Sequence, residues 1–291
     1  MEDCRNWNEK EYRASIVAER DVHSRTIFAA AFVPATASAV REHVATACSN
    51  EAWLCTLPGI AKPSMTVWKH DGPAYGLLSY GEDHNALLLR GPFSALCPIP
   101  ETNALAANSR TGCLFAAAGD GCAYVWDMNT MVCQGHSDYL HCIASQPSHN
   151  QIITGSEDGT ARIWGKFYCQ SGECVAALDP WNAVWVLVCG NGGHCVTLWR
   201  LPGLDCVTHI CMCAAPQAVT IANDQILTMG TQPILSRWSF GCTLLSQAMC
   251  APLSAFSVSV HPSRLTAVAG YGGLVDIISE FGSHLCTFCC G

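Results

Sequence analysis

Short hydrophobic segments that end in tryptophan recur along the chain at a nearly constant spacing. The tryptophan segments are MTVWK at Trp68, AYVWD at Trp126, ARIWG at Trp164, VTLWR at Trp199 and LSRWS at Trp238. From Trp126 onward, the tryptophans follow one another at intervals of roughly 40 residues, and one more such interval leads to Ile277 in the segment LVDII. Such a spacing indicates one structural unit that is repeated along the chain.

The residues before each tryptophan alternate or run continuously in apolar character, as expected for strands packed between neighbouring sheets. Before Trp164, the predicted strands QIITGS and TARIW are joined by EDG, and Asp-Gly favours a type I′ turn, whose two central residues need positive φ. LFAAAGDGCAYVW and LTAVAGYGGLVDII follow the same plan, whereas QILTMGTQPILSRW lacks the Asp-Gly pair. A unit of about 40 residues that ends in tryptophan is the signature of the WD40 blade. We therefore predict an all-β WD40 β-propeller over residues 26–291.

One interval between tryptophans does not fit a regular repeat, and one later link between strands is short. The interval from Trp68 to Trp126 is too long for one unit of roughly 40 residues and too short for two. HDGPAYGLLSYGEDHNALLL begins like a blade, but RGPFSALCPIPETNAL follows it without a fourth strand, so we predict seven blades with the second shortened. After Trp164, GKFYCQSGECVAALDPWNAVWVLVCG also predicts little room for a fourth strand and the next first strand.

Residues 1–25 precede the first predicted strand and form a separate N-terminal cap in this interpretation. Asn8 and Glu11 have the spacing of a capping box, in which each side chain satisfies an unpaired backbone N–H. Tyr12 and Ile16 would then lie on one helical face. We predict a short helix here that packs on the propeller rim, with packing on a partner as the open alternative.

The composition restricts the class of protein. Half of the residues are hydrophobic and 13% are charged, against roughly 25% charged residues in ordinary soluble domains. The net charge is −8 and the 15 lysines and arginines are scattered, which disfavours direct binding of RNA or DNA because phosphate neutralisation supplies much of that affinity. No apolar segment reaches the roughly 20 residues of a membrane span, and the polar N-terminus MEDCRNWNEKEY argues against a secretory signal. We expect an intracellular protein without a membrane partner.

The chain contains 20 cysteines, which we interpret mainly as small hydrophobic side chains inside strands. Many of them lie singly among apolar residues: Cys113, Cys122, Cys133, Cys142, Cys189, Cys195 and Cys206. Cys286 and Cys289 form a C-x-x-C, but no second pair stands at zinc-site spacing. Their side chains would point to opposite faces of a strand. We therefore predict no metal site and no cofactor.

The segment from Gly135 to Trp164 contains the residues of a buried hydrogen-bonded chain of the kind that fixes the loops of WD repeats. We predict that it runs through His136, Asp158, Thr154 and Trp164. An indole N–H only donates, whereas a hydroxyl and a neutral imidazole both donate and accept, so every member of such a chain can be satisfied. Ser156 points to the same strand face as Thr154, and the pattern does not decide between them.

Four residues of the same segment, Ser137, Ser156, His136 and His141, could also suggest catalysis or metal binding. A nucleophile elbow needs G-x-S-x-G, which does not occur in the sequence. His136 and His141 are separated by an odd number of positions and would face opposite sides of a strand, and no H-E-x-x-H is present. CGNGGHC lacks the G-K-[ST] of a phosphate-binding loop. We predict that the protein is not an enzyme.

Six segments resemble plant members of the THO complex subunit 6 family, which are WD40-repeat proteins. They follow one another in order, cover most of the chain and extend beyond the general WD-repeat pattern. The segments are NWNEKEYRASIVAERDVHSRTIF, HDGPAYGLLSYGEDHNALLL, AAAGDGCAYVWD, GHSDYLHCI, TGSEDGTARIW and GYGGLVDIISEFGSHLCTF. Relative to that family, the second blade and the link after Trp164 are shortened.

The resemblance implies a non-catalytic scaffold subunit of the nuclear THO complex, which joins export factors in the transcription–export assembly on nascent mRNA. It implies docking to the coiled-coil THO subunits, with RNA handled by other subunits. An alternative implied by plant relatives is a substrate receptor of a cullin-4 ubiquitin ligase in abscisic acid signalling, which uses a W-D-x-R signature. Trp126 is followed by Asp-Met-Asn and Trp164 by Gly-Lys-Phe, so neither matches and the alternative is weakened.

The blade-entry loops are the predicted partner-binding surface. Tyrosine on a rigid loop is a frequent anchor of protein interfaces. The predicted residues are Ser137, Asp138 and Tyr139, with Asp71 and Tyr75 in an earlier repeat. The alternative, that these residues only shape the turns, stays open.

Overall fold

A computed structural model describes most of the repeat region. The described residues are 26–33, 43–48, 51–56, 67–69, 76–80, 85–89, 102–108, 111–126, 131–146, 151–164, 167–170, 175–181, 185–190, 194–200 and 205–289. Within these ranges the regular elements are 26 β-strands, β1 to β26 in chain order. They form six antiparallel sheets of four strands and one of two strands, which we number 1 to 7 along the chain.

The first three sheets contain β1 to β10. Sheet 1 comprises β1 (Ile27–Val33), β2 (His43–Cys48), β3 (Glu51–Thr56) and β4 (Val67–Lys69). Sheet 2 comprises β5 (Gly76–Tyr80) and β6 (Asn85–Leu89). Sheet 3 comprises β7 (Thr102–Asn108), β8 (Cys113–Ala118), β9 (Cys122–Trp126) and β10 (Met131–Gln134).

The remaining sheets each pair four consecutive strands. Sheet 4 comprises β11 (Leu140–Gln146), β12 (Gln151–Ser156), β13 (Thr160–Trp164) and β14 (Phe167–Gln170). Sheet 5 comprises β15 (Val175–Trp181), β16 (Trp185–Gly190), β17 (Cys195–Arg200) and β18 (Asp205–Cys211). Sheet 6 comprises β19 (Pro216–Ala222), β20 (Gln225–Gly230), β21 (Ile234–Trp238) and β22 (Leu244–Met249). Sheet 7 comprises β23 (Ala255–Val260), β24 (Thr266–Gly270), β25 (Leu274–Ile278) and β26 (His284–Cys289).

Burial along the strands follows their position in a sheet. β24 (TAVAG) and β25 (LVDII) are buried at every residue, because a neighbouring sheet covers each face. The outer strand β18 (DCVTHIC) instead alternates between exposed and half-buried residues over most of its length. The continuous and alternating apolar patterns of the sequence therefore correspond to inner and outer strands.

The first strands of the sheets surround a common centre and close a ring. β5 contacts both β1 and β7, later first strands contact one another in chain order, and β23 returns to β1. At this junction Ala30 N–H donates to Ser257 Oγ (3.1 Å), and Ser257 Oγ donates to Ala30 C=O (3.3 Å). Every described sheet consists of consecutive strands, so closure within the described residues rests on these hydrogen bonds and on packing between sheets 1 and 7.

That packing is an apolar cluster contributed by both ends of the chain. It joins β1 to β24, β25 and β26 through Ile27, Ala30, Phe32, Ala267, Ala269, Val275, Ile277 and Phe288. Similar clusters lie between sheets 3 and 4, between sheets 5 and 6, and between sheets 6 and 7. The core of the molecule is thus distributed over the interfaces between neighbouring sheets.

The structure corrects the phase of the repeat at its start. Trp68 lies on β4, the fourth strand of sheet 1, whereas the later repeat tryptophans lie on third strands. Measured between third strands, the interval from the end of β3 at Thr56 to the end of β9 at Trp126 is close to two units of roughly 40 residues. The link after Trp164 also accommodates both β14 and β15, contrary to the prediction of too little room.

Other predictions about chain organisation concern residues that the structure does not describe. The N-terminal cap with a short helix, residues 1–25, lies outside the described residues. Sheet 2 occupies the predicted place of the shortened blade, but residues 90–101 that follow it are also outside them, so the count of seven blades stays a prediction. In the described part of the chain, no helix is long and apolar enough to cross a membrane.

Candidate functional site: the hydrogen-bonded chain of sheet 4 and its entry loop

The structure brings together the four residues of the predicted hydrogen-bonded chain in sheet 4. Trp164 Nε1–H donates to Thr154 Oγ1 at 2.8 Å, and the same hydroxyl lies 2.8 Å from His136 Nε2. His136 Nδ1 lies 2.9 Å from Asp158 Oδ2. Thr154 is fully buried, and so is the side chain of His136.

One arrangement of protons satisfies every group in this series. Since Thr154 Oγ1 accepts the indole proton, its own hydroxyl proton is available for Nε2 of a neutral His136. His136 Nδ1–H then donates to the Asp158 carboxylate. The one negative charge among these four hydrogen-bonded residues therefore lies on Asp158, at the end of the series away from Trp164. The carboxylate thus orients the imidazole, and the imidazole orients the threonine hydroxyl.

Thr160 is a fifth member that the sequence pattern did not single out. Its Oγ1–H donates to Asp158 Oδ1 (2.6 Å) and lies 3.1 Å from His136 Nδ1, and its backbone N–H donates to Asp158 Oδ1 (2.9 Å). A threonine immediately after Asp-Gly was the available signal. Ser156, which the sequence left as an alternative to Thr154, bonds elsewhere: it donates to Asp138 C=O (3.0 Å) and accepts from Asp158 N–H (3.1 Å).

The electrostatics favour a neutral histidine beside an ionised aspartate. Burial lowers the pKa of His136 below its ordinary 6.5, and the opposing attraction of Asp158 is smaller. Burial alone would raise the pKa of Asp158, but hydrogen bonds from Thr160, His136 and Ser137 N–H outweigh it and lower the pKa to about 2. Both shifts keep the chain in the protonation state described above at neutral pH.

The turn that carries Asp158 differs from the predicted type I′ turn. Gly159 has a φ of 78°, whereas Asp158 is not among the residues with positive φ, and Gly159 N–H donates to Ser156 C=O (3.3 Å). This is a type I turn followed by a left-handed glycine. With right-handed φ, Asp158 directs its carboxylate back toward Thr160 N–H and His136. The type I′ pattern occurs instead at Asn223 and Asp224, whose φ values are 51° and 57°.

The chain also fixes the entry loop, which we define as Ser137, Asp138 and Tyr139 between His136 and β11. Ser137 N–H donates to Asp158 Oδ2 (3.1 Å), and Glu157 N–H donates to Tyr139 C=O (2.9 Å). Asp138 Oδ1 accepts from Tyr139 N–H (2.8 Å). All three entry-loop residues are exposed although their backbone is held at both ends.

Tyr139 is 43% exposed and lies against sheet 3. A Cβ added at Gly119 would lie 2.6 Å from Tyr139 Cε1, so the tyrosine ring packs directly over this glycine. Asp71 and Tyr75, the other predicted partner-binding residues, lie outside the described residues. Of that predicted surface, the structure therefore describes the entry loop.

The histidines and serines considered for catalysis or metal binding do not form a common site in the structure. His141 Nε2 lies 3.5 Å from Glu157 Oε2 on the surface, apart from the buried bonds of His136. The two candidate nucleophiles make hydrogen bonds that support the turn, Ser137 through its backbone N–H and Ser156 through its hydroxyl. Among the described residues, no group of three or more His, Cys, Asp or Glu side chains could hold a metal ion.

Comparison with known proteins confirms the predicted WD40 propeller. The family model for the WD domain, G-beta repeat, matches residues 129–165, which contain β10 and the first three strands of sheet 4. The crystal structure of the WD40 β-propeller domain of Doa1 superposes with a TM-score of 0.71 at 16% identity, covering 88% of this chain and 93% of that one. At this identity the likeness establishes the fold alone.

One curated relative aligns over nearly the whole chain, and two others align over about three quarters of it. THO complex subunit 6 of Arabidopsis thaliana is 39% identical over 365 aligned positions, which cover 98% of each protein. The alignment is longer than this 291-residue chain, so the relative has residues that this chain lacks. THO complex subunit 6 of Homo sapiens and its homolog in Danio rerio are 26% and 25% identical, each over 76% of this chain. The chain belongs to the THO complex subunit 6 family of WD40-repeat proteins.

Proposed function

We propose that this protein is a non-catalytic scaffold subunit of a nuclear THO complex, which supports mRNA processing and export by docking other proteins. The proposal is supported by the Arabidopsis thaliana relative, which is named as subunit 6 of that complex and aligns over 98% of both proteins. A propeller is suited to this role because its stacked sheets hold many loops rigidly on one surface.

The exposed tyrosine on the entry loop is the observation that supports a docking role at this place. Backbone bonds and the Asp158 carboxylate already fix the loop, so little conformational entropy remains to be lost on binding. Tyr139 offers a large ring with a polar end, the type of side chain that is enriched at binding hot spots. Ser137 and Asp138 add polar groups beside it.

The partners that we propose are the other THO subunits, especially the coiled-coil ones, with RNA held by those subunits and not by this chain. The net charge of −8 and the scattered basic residues support an indirect contact with RNA, since the phosphate backbone dominates nucleic-acid affinity. Asp138 would favour a partner segment that carries lysine or arginine, because complementary charges guide association.

Affinity purification with matched tyrosine variants tests this proposal. Tyr139→Ala should reduce recovery of the coiled-coil THO subunits, because the exposed ring is removed while its buried supports remain. Tyr271→Ala is the control, since Tyr271 is also 43% exposed and lies between β24 and β25 of sheet 7, where its backbone bridges to Thr26. Circular dichroism of both variants checks that the fold is retained.

Gly119→Ala is a second test that leaves Tyr139 in the chain. The added methyl group would lie 2.6 Å from the tyrosine ring, so the ring must move while the backbone stays as it is. We expect weaker recovery of the same subunits with little change in melting temperature. Equal recovery for all three variants would contradict docking at the entry loop. Recovery of a cullin-4 adaptor without THO subunits would contradict the scaffold role itself and favour the ubiquitin-ligase alternative.

A further inference from the structure

We propose that Cys195 and Cys211 are a redox modification site, at which a reversible disulfide joins the third and fourth strands of sheet 5. The two residues are direct partners in the antiparallel register of β17 and β18. Their sulfur atoms lie 3.7 Å apart, well beyond the roughly 2.0 Å of a disulfide bond. They are therefore adjacent thiols that can become bonded without a change of strand register.

The backbone geometry suits such a bond. Met212 N–H donates to His194 C=O (2.7 Å), so the neighbouring pair of Cys195 and Cys211 occupies a non-hydrogen-bonded position of the ladder. At such positions Cα atoms are about 4.5 Å apart, which falls at the short end of the range of about 4.4–6.8 Å found in disulfides. Side-chain rotation is then sufficient to bring the sulfur atoms together.

Both thiols can be reached by a small oxidant. Cys211 is exposed and Cys195 is partly exposed on the outer part of the sheet. Cys211 also lines a pocket of about 320 Å³ between sheets 5 and 6, together with Cys213, Met212 and Leu244. Cys250 provides the contrast, because it is buried and burial raises the pKa of its thiol to about 12. Reactivity requires access and the thiolate form, so Cys250 is protected.

The reaction is a thiol–disulfide exchange with a low-molecular-weight disulfide such as oxidised glutathione. The thiolate of Cys211 attacks one glutathione sulfur, the S–S bond breaks, and the released glutathione thiolate takes up a proton. The thiolate of Cys195 then attacks the Cys211 sulfur of the mixed disulfide and releases a second glutathione. Two protein thiols are oxidised to one disulfide, and glutathione disulfide is reduced to two thiols.

A disulfide between Cys195 and Cys211 would restrain β18, the edge strand of sheet 5 beside the pocket. β18 is held by one neighbouring strand in its sheet, so a covalent link to β17 restricts its opening. In a reducing compartment such bonds are usually transient and serve as redox sensors. The oxidised protein should therefore exchange the backbone amides of β18 more slowly than the reduced protein.

Peptide mapping of the full chain tests the proposal, because trypsin cleaves after Arg200 between the two cysteines. The protein is equilibrated with oxidised or reduced glutathione, alkylated with iodoacetamide and digested without reduction. Oxidation should join the tryptic peptides 167–200 and 201–237, and dithiothreitol should separate them. Fragmentation of the joined peptides should place the bond between Cys195 and Cys211.

Serine variants control for the other cysteines in those peptides. Cys195→Ser and Cys211→Ser should each abolish the joined species, whereas Cys213→Ser, at a similarly exposed position, should retain it. The proposal is overturned if wild-type protein forms only mixed disulfides with glutathione. It is also overturned if the peptides stay joined in Cys195→Ser or separate in Cys213→Ser. The wild-type fragmentation map decides the question even where a variant does not fold.

Discussion

Sheets 4 and 6 contain equivalent tryptophan–threonine hydrogen bonds, but the charged side chains beside these bonds make different contacts. In both, the indole N–H of the tryptophan that ends the third strand donates to a buried threonine of the second strand, Trp164 to Thr154 and Trp238 to Thr228. In both, the residue after the second strand donates its N–H to the carbonyl of the residue just before the first strand: Glu157 to Tyr139 and Thr231 to Ala215. The backbone plan of the two blades is thus the same.

The difference lies in the charged residue that each sheet buries. Sheet 4 extends its bond through His136 to Asp158, and the carboxylate holds the entry loop of the same blade. Sheet 6 has Met212 and Gln232 near the corresponding positions, and its buried charge is Arg237, which donates to Thr266 Oγ1 (3.1 Å) and Ser279 C=O (3.0 Å) of sheet 7. One charge stabilises a loop within its blade, and the other joins two blades.

Asp158→Ala should have the largest effect of the changes considered. It removes the acceptor of His136, of both donors of Thr160 and of Ser137 N–H, and hydrogen bonds to a charged group contribute about 1.5–3 kcal/mol each. We expect the free energy of unfolding in urea to fall by about 3 kcal/mol. Asp138→Ala is the matched control, because this exposed aspartate lies in the entry loop that Asp158 holds and its replacement should cost well under about 1 kcal/mol.

The same pair of variants separates the bracing role from docking. Asp158→Ala keeps the exposed groups of the entry loop, so it should still bind partners at low temperature, where the fold persists, although less tightly because the loop loses one of its supports. Loss of binding without loss of stability would contradict the structural role assigned to Asp158.

Thr154→Val and Thr228→Val compare the two sheets directly, since valine keeps the shape of threonine and removes the hydroxyl. Thr154→Val leaves both Trp164 Nε1–H and His136 Nε2 without this partner, whereas Thr228→Val affects Trp238 Nε1–H. We expect losses of about 2 kcal/mol and about 1 kcal/mol in the free energy of unfolding. Equal losses would indicate that the histidine contributes nothing beyond the shared tryptophan–threonine bond.

Arg237→Met should cost less than Asp158→Ala although both change a buried charge. Burial lowers the pKa of Arg237, and its Nε has no hydrogen-bond partner among the described residues, so part of its desolvation is uncompensated. Methionine needs no hydrogen-bond partner, but it leaves Thr266 Oγ1 and Ser279 C=O without this donor. We expect the free energy of unfolding to fall by about 1 kcal/mol, because removal of the partly uncompensated charge offsets some of the cost of the lost hydrogen bonds. A loss as large as that of Asp158→Ala would show that the joint between sheets 6 and 7 depends on this arginine.

The hydrogen-bonded residues of sheet 4 could be predicted from the sequence, because they recur at fixed positions within one repeat. His136, Thr154, Asp158 and Trp164 stand at repeat positions, and indole, hydroxyl, imidazole and carboxylate match as donors and acceptors. Repeat spacing alone misplaced Trp68, because tryptophan also occurs on a fourth strand. It could not find contacts between different repeats, such as Arg237 with Ser279, since nothing in the local pattern shows which blade a side chain faces.

Acidification should reduce the stability that the hydrogen-bonded residues of sheet 4 contribute, because His136 is the member of that series that takes up a proton. The pKa of His136 is lowered by burial below its ordinary 6.5, so the unfolded chain binds the proton first. The stabilisation is complete above about pH 6.5 and is lost as the pH falls toward the lowered folded value. Asp158 contributes a separate loss only at lower pH, from its ordinary 3.8 down to about 2.

Urea unfolding at about pH 7.5 and about pH 5.5 measures this loss, since an unperturbed histidine titrates between those values. At about pH 7.5, His136→Gln should have a lower free energy of unfolding than the wild type. Between about pH 7.5 and about pH 5.5, its free energy of unfolding should change less than that of the wild type. Contributions from groups other than His136 are common to both proteins and cancel in the difference. Thr228→Val should keep the wild-type pH dependence, because the tryptophan–threonine bond of sheet 6 includes no titrating group. An unchanged pH dependence in His136→Gln would mean that folding does not shift the pKa of His136, which would contradict the neutral buried imidazole. A larger loss of stability on acidification in His136→Gln than in the wild type would mean that the folded imidazole is protonated, which would reverse the direction of the bond between His136 and Thr154.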